Sequence, residues 1–137
     1  MFLEELNVGQ SAELVRTVQE GDLAAFAAVT GDDNPVHLDE AFAQTTSFGG
    51  RIAHGMLSAG YISAVIGTQL PGSGAIYLEQ SLRFRRPVRI GDEVTARAEI
   101  TAIDAERARI TLSTTCKVAG KVVVDGEATI MVPRRPG

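Results

Sequence analysis

Residues 30 to 37 read Thr-Gly-Asp-Asp-Asn-Pro-Val-His, a short stretch that carries two carboxylates and one of only two histidines in the chain. A carboxylate and an imidazole that reach the same water molecule can pass a proton on and off a substrate. Asp32 and His37 are the candidate pair. The second histidine, His54, opens a stretch beginning His-Gly-Met-Leu. Beside a helix N-terminus the charged form of an imidazole is disfavoured, so a structural hydrogen bond is the role expected of it.

The elements around the pair follow from local signals. Asp22 can cap a short helix through Phe26 and Val29, and Gly31 stands where a helix C-terminus needs a left-handed residue. Asn34-Pro35 is a turn signal that disfavours helix at Asn34, so the backbone from Asp32 to His37 is expected to be bent rather than extended or helical. That bend can bring the two side chains together. Asp39 can cap another short helix, and Gly49-Gly50 ends the excursion. From His54 to about Leu70 the sequence reads as one longer helix with no acid or base after its first residue. Being apolar nearly all round, it is expected to be buried, with Gly55, Ala59, Gly60, Ser63, Ala64 and Gly67 admitting close backbone approach.

After Pro71-Gly72-Ser73-Gly74 the period changes to two. Ile76, Leu78, Leu82 and Phe84 alternate with polar residues as the buried face of a strand, interrupted by Gln80. Val94 to Ile100, Ala108 to Cys116 and Val122 to Val132 mark three more strands. Asp104 to Glu106 and Ala119-Gly120 are short hairpin connections. A fifth, short strand is expected near Ala12 to Val18. Four long antiparallel strands following one buried helix predict an α+β architecture, a curved sheet wrapped around that helix. Such a sheet has an open edge, which pairing two copies would cover, so a homodimer is expected.

Composition narrows the functional classes. With 137 residues, 45% of them hydrophobic, the chain suits one domain over residues 1–137 with a real core. A net charge of -4 argues against a general nucleic-acid surface. The single cysteine, Cys116, excludes an internal disulfide and any cysteine-based zinc site, and fits a reducing, cytoplasmic compartment. No apolar run approaches the ~18 residues of a membrane span, so no membrane role is expected.

Three segments together carry a resemblance: FAAVTGDDNPVHLDEAFA, GRIAHGMLSAGYIS and GAIYLEQSLRFRRPVRIGDEV. They resemble the (R)-specific enoyl-CoA hydratases, MaoC-like proteins of the hotdog fold, over roughly residues 17 to 132. The element G-D-x-N-P-x-H is followed by buried helix and sheet in that family's order. The resemblance implies reversible hydration of trans-2-enoyl-CoA to (R)-3-hydroxyacyl-CoA, with Asp32 and His37 as the catalytic pair. The CoA thioester is then the substrate, and no cofactor or metal is implied. Asp33 falls on the variable position of the motif and reads as solvated.

Hydrating an α,β-unsaturated thioester requires deprotonating water as it attacks C3, protonating C2, and stabilising negative charge on the thioester oxygen. Asp32 is assigned as the base and His37 as the proton donor, with the reverse assignment open. Both on one side imply syn addition. Gly55, at the start of the buried helix, suits the third function, because free N–H groups and the helix dipole favour an oxyanion there and the absent side chain permits close approach. The family has a polar residue at Ser63 that can touch the site. Arg83, Arg85, Arg86 and Arg89 form a basic cluster in an otherwise acidic chain, suited to the phosphates of CoA.

Two rival readings are constrained by the same residues. Acyl-carrier-protein dehydratases and several thioesterases of the hotdog fold use a carboxylate on the central helix, and residues 54 to 70 contain none. Some MaoC-like chains are non-catalytic partner subunits that have lost the catalytic pair, whereas this chain keeps both members.

Overall fold

The computed structural model describes the whole chain, Met1 to Gly137. Five strands form one antiparallel sheet: β1 (Ser11–Thr17), β2 (Ile76–Phe84), β3 (Glu93–Asp104), β4 (Arg109–Val118) and β5 (Lys121–Met131). Their spatial order is β1-β3-β4-β5-β2, so the strands on either side of the helical segment become the two edges. Four helices precede β2: α1 (Glu20–Thr30), α2 (Pro35–Leu38), α3 (Glu40–Gln44) and α4 (Gly55–Thr68). A short 3-10 turn, Leu3–Glu5, was not expected from the sequence; Leu3 and Leu6 tuck its apolar side into the core.

Helix α4 lies against the sheet. Ser58, Tyr61, Ile62, Val65 and Ile66 are its buried residues, at the three-and-four spacing of one helical face. Tyr61, Ile62, Val65 and Ile66 join Val94, Ala96, Ala98 and Ile100 of β3 and the inward residues Ile110, Leu112, Val124, Ala128 and Ile130 in one contiguous core. The alanines at 96, 98 and 128 keep the sheet surface low where the helix crosses it. Burial of α4 is one-sided, contrary to the all-round burial expected: Met56, Gly60, Ser63 and Gly67 are exposed. No helix is long and apolar enough to cross a membrane.

Strand β2 departs further from expectation. Most of its apolar row is uncovered: Ile76 and Phe84 are each 54% exposed and Leu78 is at the edge of exposure, while Leu82 packs against the core. A register shift between Tyr77 and Glu79 also breaks the simple alternation. Gln80, the polar interruption, is accounted for: its amide N–H donates to Oγ1 of fully buried Thr114 at 3.0 Å, and its carbonyl accepts from the Tyr77 hydroxyl.

The cap signals resolve locally. Gly31 ends α1 at φ 80°, the left-handed conformation anticipated there. Asp22 is the third residue of α1 rather than its cap, and its carboxylate reaches back to accept from Gln19 N–H at 2.8 Å. Asp39 caps α3 by accepting from Phe42 N–H at 3.1 Å.

Candidate active site

The loop that carries Asp32 is held at both ends. Thr30, the last residue of α1, donates its hydroxyl to Phe26 O at 2.7 Å and accepts from Asp32 N–H at 3.1 Å. Asn34 N–H makes a long 3.4 Å contact to Asp32 Oδ1, an Asx turn that leaves most of the carboxylate's accepting capacity free. Asn34 Oδ1 in turn accepts from Val36 N–H, capping α2 with Pro35 in the first helical position. His37 therefore sits in a helical turn, a correction to the bent, non-helical backbone expected from Asn34-Pro35. Proline at the first position of a helix forfeits no hydrogen bond, so the same dipeptide that bars helix at Asn34 starts one immediately afterwards.

His37 is nearly buried, at 9% exposure. Its Nδ1–H donates to Ile52 O at 2.8 Å, because a carbonyl oxygen can only accept. Nε2 is left without a protein partner and is not sealed from solvent. His54 makes the reciprocal bond, Nε2–H donating to Asp32 O at 2.9 Å. The two imidazoles thus cross-connect the same two segments, 32–37 and 52–54. Arg51 reinforces the arrangement: its Nε–H donates to His37 O at 2.7 Å while its guanidinium pairs with Glu20 of α1 at 2.9 Å. One donor atom from each of Asp32, His37 and His54 lies within 4.8 Å of the others, close enough to share a water molecule or to hold one metal ion. Asp33 is exposed, as expected.

Gly55 begins α4, and no side chain caps that helix, so its first amide groups have no partner within it. A Cβ at Gly55 would meet the Phe84 ring at 2.6 Å. Phe84 and Gly55 share the wall of a cleft of about 460 Å³ that also includes Ile52, Met56, Ser58 and Val88. Through Ile52, whose carbonyl holds His37, this apolar cleft adjoins the acid/base pair. Arg85 and Arg86 stand at its rim and also line a neighbouring polar hollow with Lys121 and Asp125. Arg85 pairs with Asp125 at 3.2 Å.

The other expected contacts are placed differently. Arg83 is exposed and lines neither cavity. Arg89 serves the fold, donating to Phe48 O at 2.6 Å. Ser63 is exposed, about 140° round the helix from Ser58, the serine that does line this chain's cleft. Beneath Ser58 the thiol of Cys116 donates to its carbonyl oxygen at 3.6 Å. Burial pushes that thiol up to about 12, which keeps it protonated and rules it out as a nucleophile at neutral pH. The sequence does not single out Arg51, Ser58 or Lys121, although Arg51 directly follows the Gly49-Gly50 pair and Lys121 the Ala119-Gly120 turn.

Comparison with known proteins agrees with this geometry. The MaoC-like domain profile matches residues 4–122. The chain is 58% identical over 134 residues to the (R)-specific enoyl-CoA hydratase of Rhodospirillum rubrum, covering 98% of this chain and 93% of that one. It superposes on the unliganded R-hydratase PhaJ1 of Pseudomonas aeruginosa with a TM-score of 0.92 and 52% identity, over 98% of this chain and 86% of that one. It is also 37% identical to a mitochondrial 3-hydroxyacyl-[acyl-carrier-protein] dehydratase of Solanum lycopersicum, over 93% of this chain and 78% of that one. The five-stranded antiparallel sheet packed on a central helix is the hotdog fold of these relatives.

Proposed function

The chain belongs to the MaoC-like domain family, and on that footing we propose that it is an enzyme catalysing reversible hydration of trans-2-enoyl-CoA to (R)-3-hydroxyacyl-CoA. The observation that carries the proposal is the clustering of the Asp32 carboxylate and the His37 imidazole within 4.8 Å, beside a cleft whose wall includes Gly55. One water held by the pair attacks C3, and C2 is protonated from the same side, so addition is syn. With Nδ1–H committed to Ile52 O, Nε2 is the working nitrogen of His37. A His37 that donates at C2 therefore does so as imidazolium. The assignment with Asp32 as base starts from a carboxylate–imidazolium pair, takes the water proton onto Asp32 and ends with neutral His37. The free amides at the start of α4 receive the thioester oxygen as charge develops on it. The CoA thioester is the substrate and no cofactor takes part.

Arg85, Arg86 and Lys121 are proposed to meet the anionic end of CoA, since they ring the hollow that opens off the cleft. We place the whole of residues 1–137 in one catalytic domain and two such domains in a homodimer, supported by the mostly uncovered apolar row of β2. Ser63 faces away from its own cleft, so its contact with an acyl chain depends on a copy of the chain packed against that face of α4. The lone buried cysteine supports a cytoplasmic setting.

The test is the absorbance of the enoyl thioester band on adding crotonyl-CoA. Loss of the band without free thiol means hydration; thiol release means a thioesterase, and no change means a binding subunit. Because a relative that shares this family is named for acyl-carrier-protein substrates, the acid-free helix does not by itself choose the carrier. Crotonyl-acyl-carrier-protein is assayed alongside, and the CoA reading expects the larger kcat/KM for crotonyl-CoA.

A further inference from the structure

We propose that His54 is a positioning residue for the acid/base pair, holding the Asp32 backbone and the His37 ring in one fixed relation; this rests on the hydratase reading above. The ring is 2% exposed and touches both members of the pair. It donates from Nε2–H to the carbonyl of Asp32 itself, and it stacks on His37 with centroids 3.9 Å apart and planes 28° from parallel. Phe26 of α1 packs against it at 4.5 Å.

The bond to a carbonyl fixes the proton on Nε2 and leaves Nδ1 as a lone-pair nitrogen. That nitrogen is sealed from solvent with no hydrogen-bond partner. A buried, unsatisfied acceptor is unfavourable, and a phenyl ring of similar outline would avoid it. What a phenyl ring lacks is a donor to Asp32. An imidazole combines a flat face against His37 with an edge that pins the carbonyl of Asp32, the residue whose N–H the Thr30 hydroxyl already holds. Misplacing a reacting group by about 1 Å can lower a rate by 10²-fold, so a residue with both contacts controls kcat without touching substrate.

Two variants separate the contacts. His54→Phe keeps a stacked ring and loses the hydrogen bond; His54→Gln restores an N–H donor of similar reach. The expected result is a fall in kcat of about tenfold or more for H54F, a KM for crotonyl-CoA within about twofold of wild type, and partial recovery of kcat in H54Q. A kcat for H54F within twofold of wild type overturns the proposal, as does equal impairment of the two variants. Both assays are repeated with EDTA. Chelator-sensitive wild-type activity would give Nδ1 an ion as its partner and overturn the role proposed. An arm independent of turnover uses imidazole ¹⁵N shifts of the wild-type protein, which also decides the matter should H54F not fold. Protonation of His54 on Nε2 and of His37 on Nδ1 is expected, and His54 protonated on Nδ1 contradicts the proposal. If crotonyl-CoA is not hydrated at all, the hydratase reading fails, whereas the shifts still report on how His54 holds Asp32.

Discussion

His37 and His54 each donate to a backbone carbonyl in the other's segment, His37 to Ile52 and His54 to Asp32, at 2.8 and 2.9 Å. The free nitrogen of His37 reaches solvent, whereas that of His54 does not. Of two stacked imidazoles, therefore, only His37 can exchange a proton with a substrate.

Removing either member of the pair should abolish most hydration and spare the fold. Asp32→Asn and His37→Gln are each expected to lower kcat/KM for crotonyl-CoA by ~10²–10⁴-fold, the usual size of a general acid/base contribution. Asp33→Asn should be nearly silent because that side chain is solvated. Steady-state kinetics with circular dichroism checks all three, and near-wild-type turnover by either of the first two variants would sink the assignment.

Gly55→Ala places a methyl group where Phe84 now lies, at 2.6 Å. Phe84 is half exposed on an edge strand, so its ring can swing aside and the fold should survive. The methyl then occupies the approach to the first amides of α4. We expect kcat to fall by about 10²-fold with a small change in Tm. Phe84→Ala in the same background should not restore the rate, since the obstruction comes from the new methyl.

Charge at the rim should act on binding alone. Arg86→Ala and Lys121→Ala are each expected to raise KM for crotonyl-CoA roughly two- to fivefold, corresponding to ~0.5–1 kcal/mol for an exposed ionic contact. The effect should shrink as salt is added. A crotonyl thioester of N-acetylcysteamine, which lacks phosphates, should show no such difference.

Ala119 adopts φ 49° and Gly120 φ 77°, both left-handed, in a two-residue turn between β4 and β5. Such a primed turn favours glycine or asparagine at both positions, and alanine there is strained. Ala119→Gly should stabilise the protein by roughly 0.5–1 kcal/mol after allowing for the freer unfolded chain. A melting experiment should show Tm a few degrees higher, with kcat unchanged because the turn lies outside the cleft.

The long strands were legible because each carries a period of two, α4 because it is a long uncharged apolar stretch bounded by His54-Gly55 and Pro71-Gly72, and Gly31 and Asp39 because their cap chemistry is local. Periodicity identifies an apolar face without saying what covers it. Ile76, Leu78 and Phe84 alternate as a buried row would, and they lie uncovered on the edge strand β2. On α4, Ser58 and Ser63 have the same residue type on one apolar helix, and only the packing of the Ser58 side of the helix over Cys116 determines which one lines the cleft. Asp32 and His37 could be picked out because their chemistry is written in residue type. That His54 makes a structural hydrogen bond was also legible from its place before α4, whereas its acceptor, a main-chain carbonyl 22 residues away, is encoded by no side-chain pattern.

The reciprocal histidine bonds also govern how the site comes apart. Segments 32–37 and 52–54 cannot loosen independently, since releasing one breaks both imidazole–carbonyl contacts and the Arg51 bond to His37 O. They should therefore share a single local-opening free energy, with the amide protons of Val36, His37, Ile52 and Ala53 exchanging with solvent as one cooperative unit. Heat or denaturant would then extinguish activity in one step at that opening, leaving no population that retains half a site.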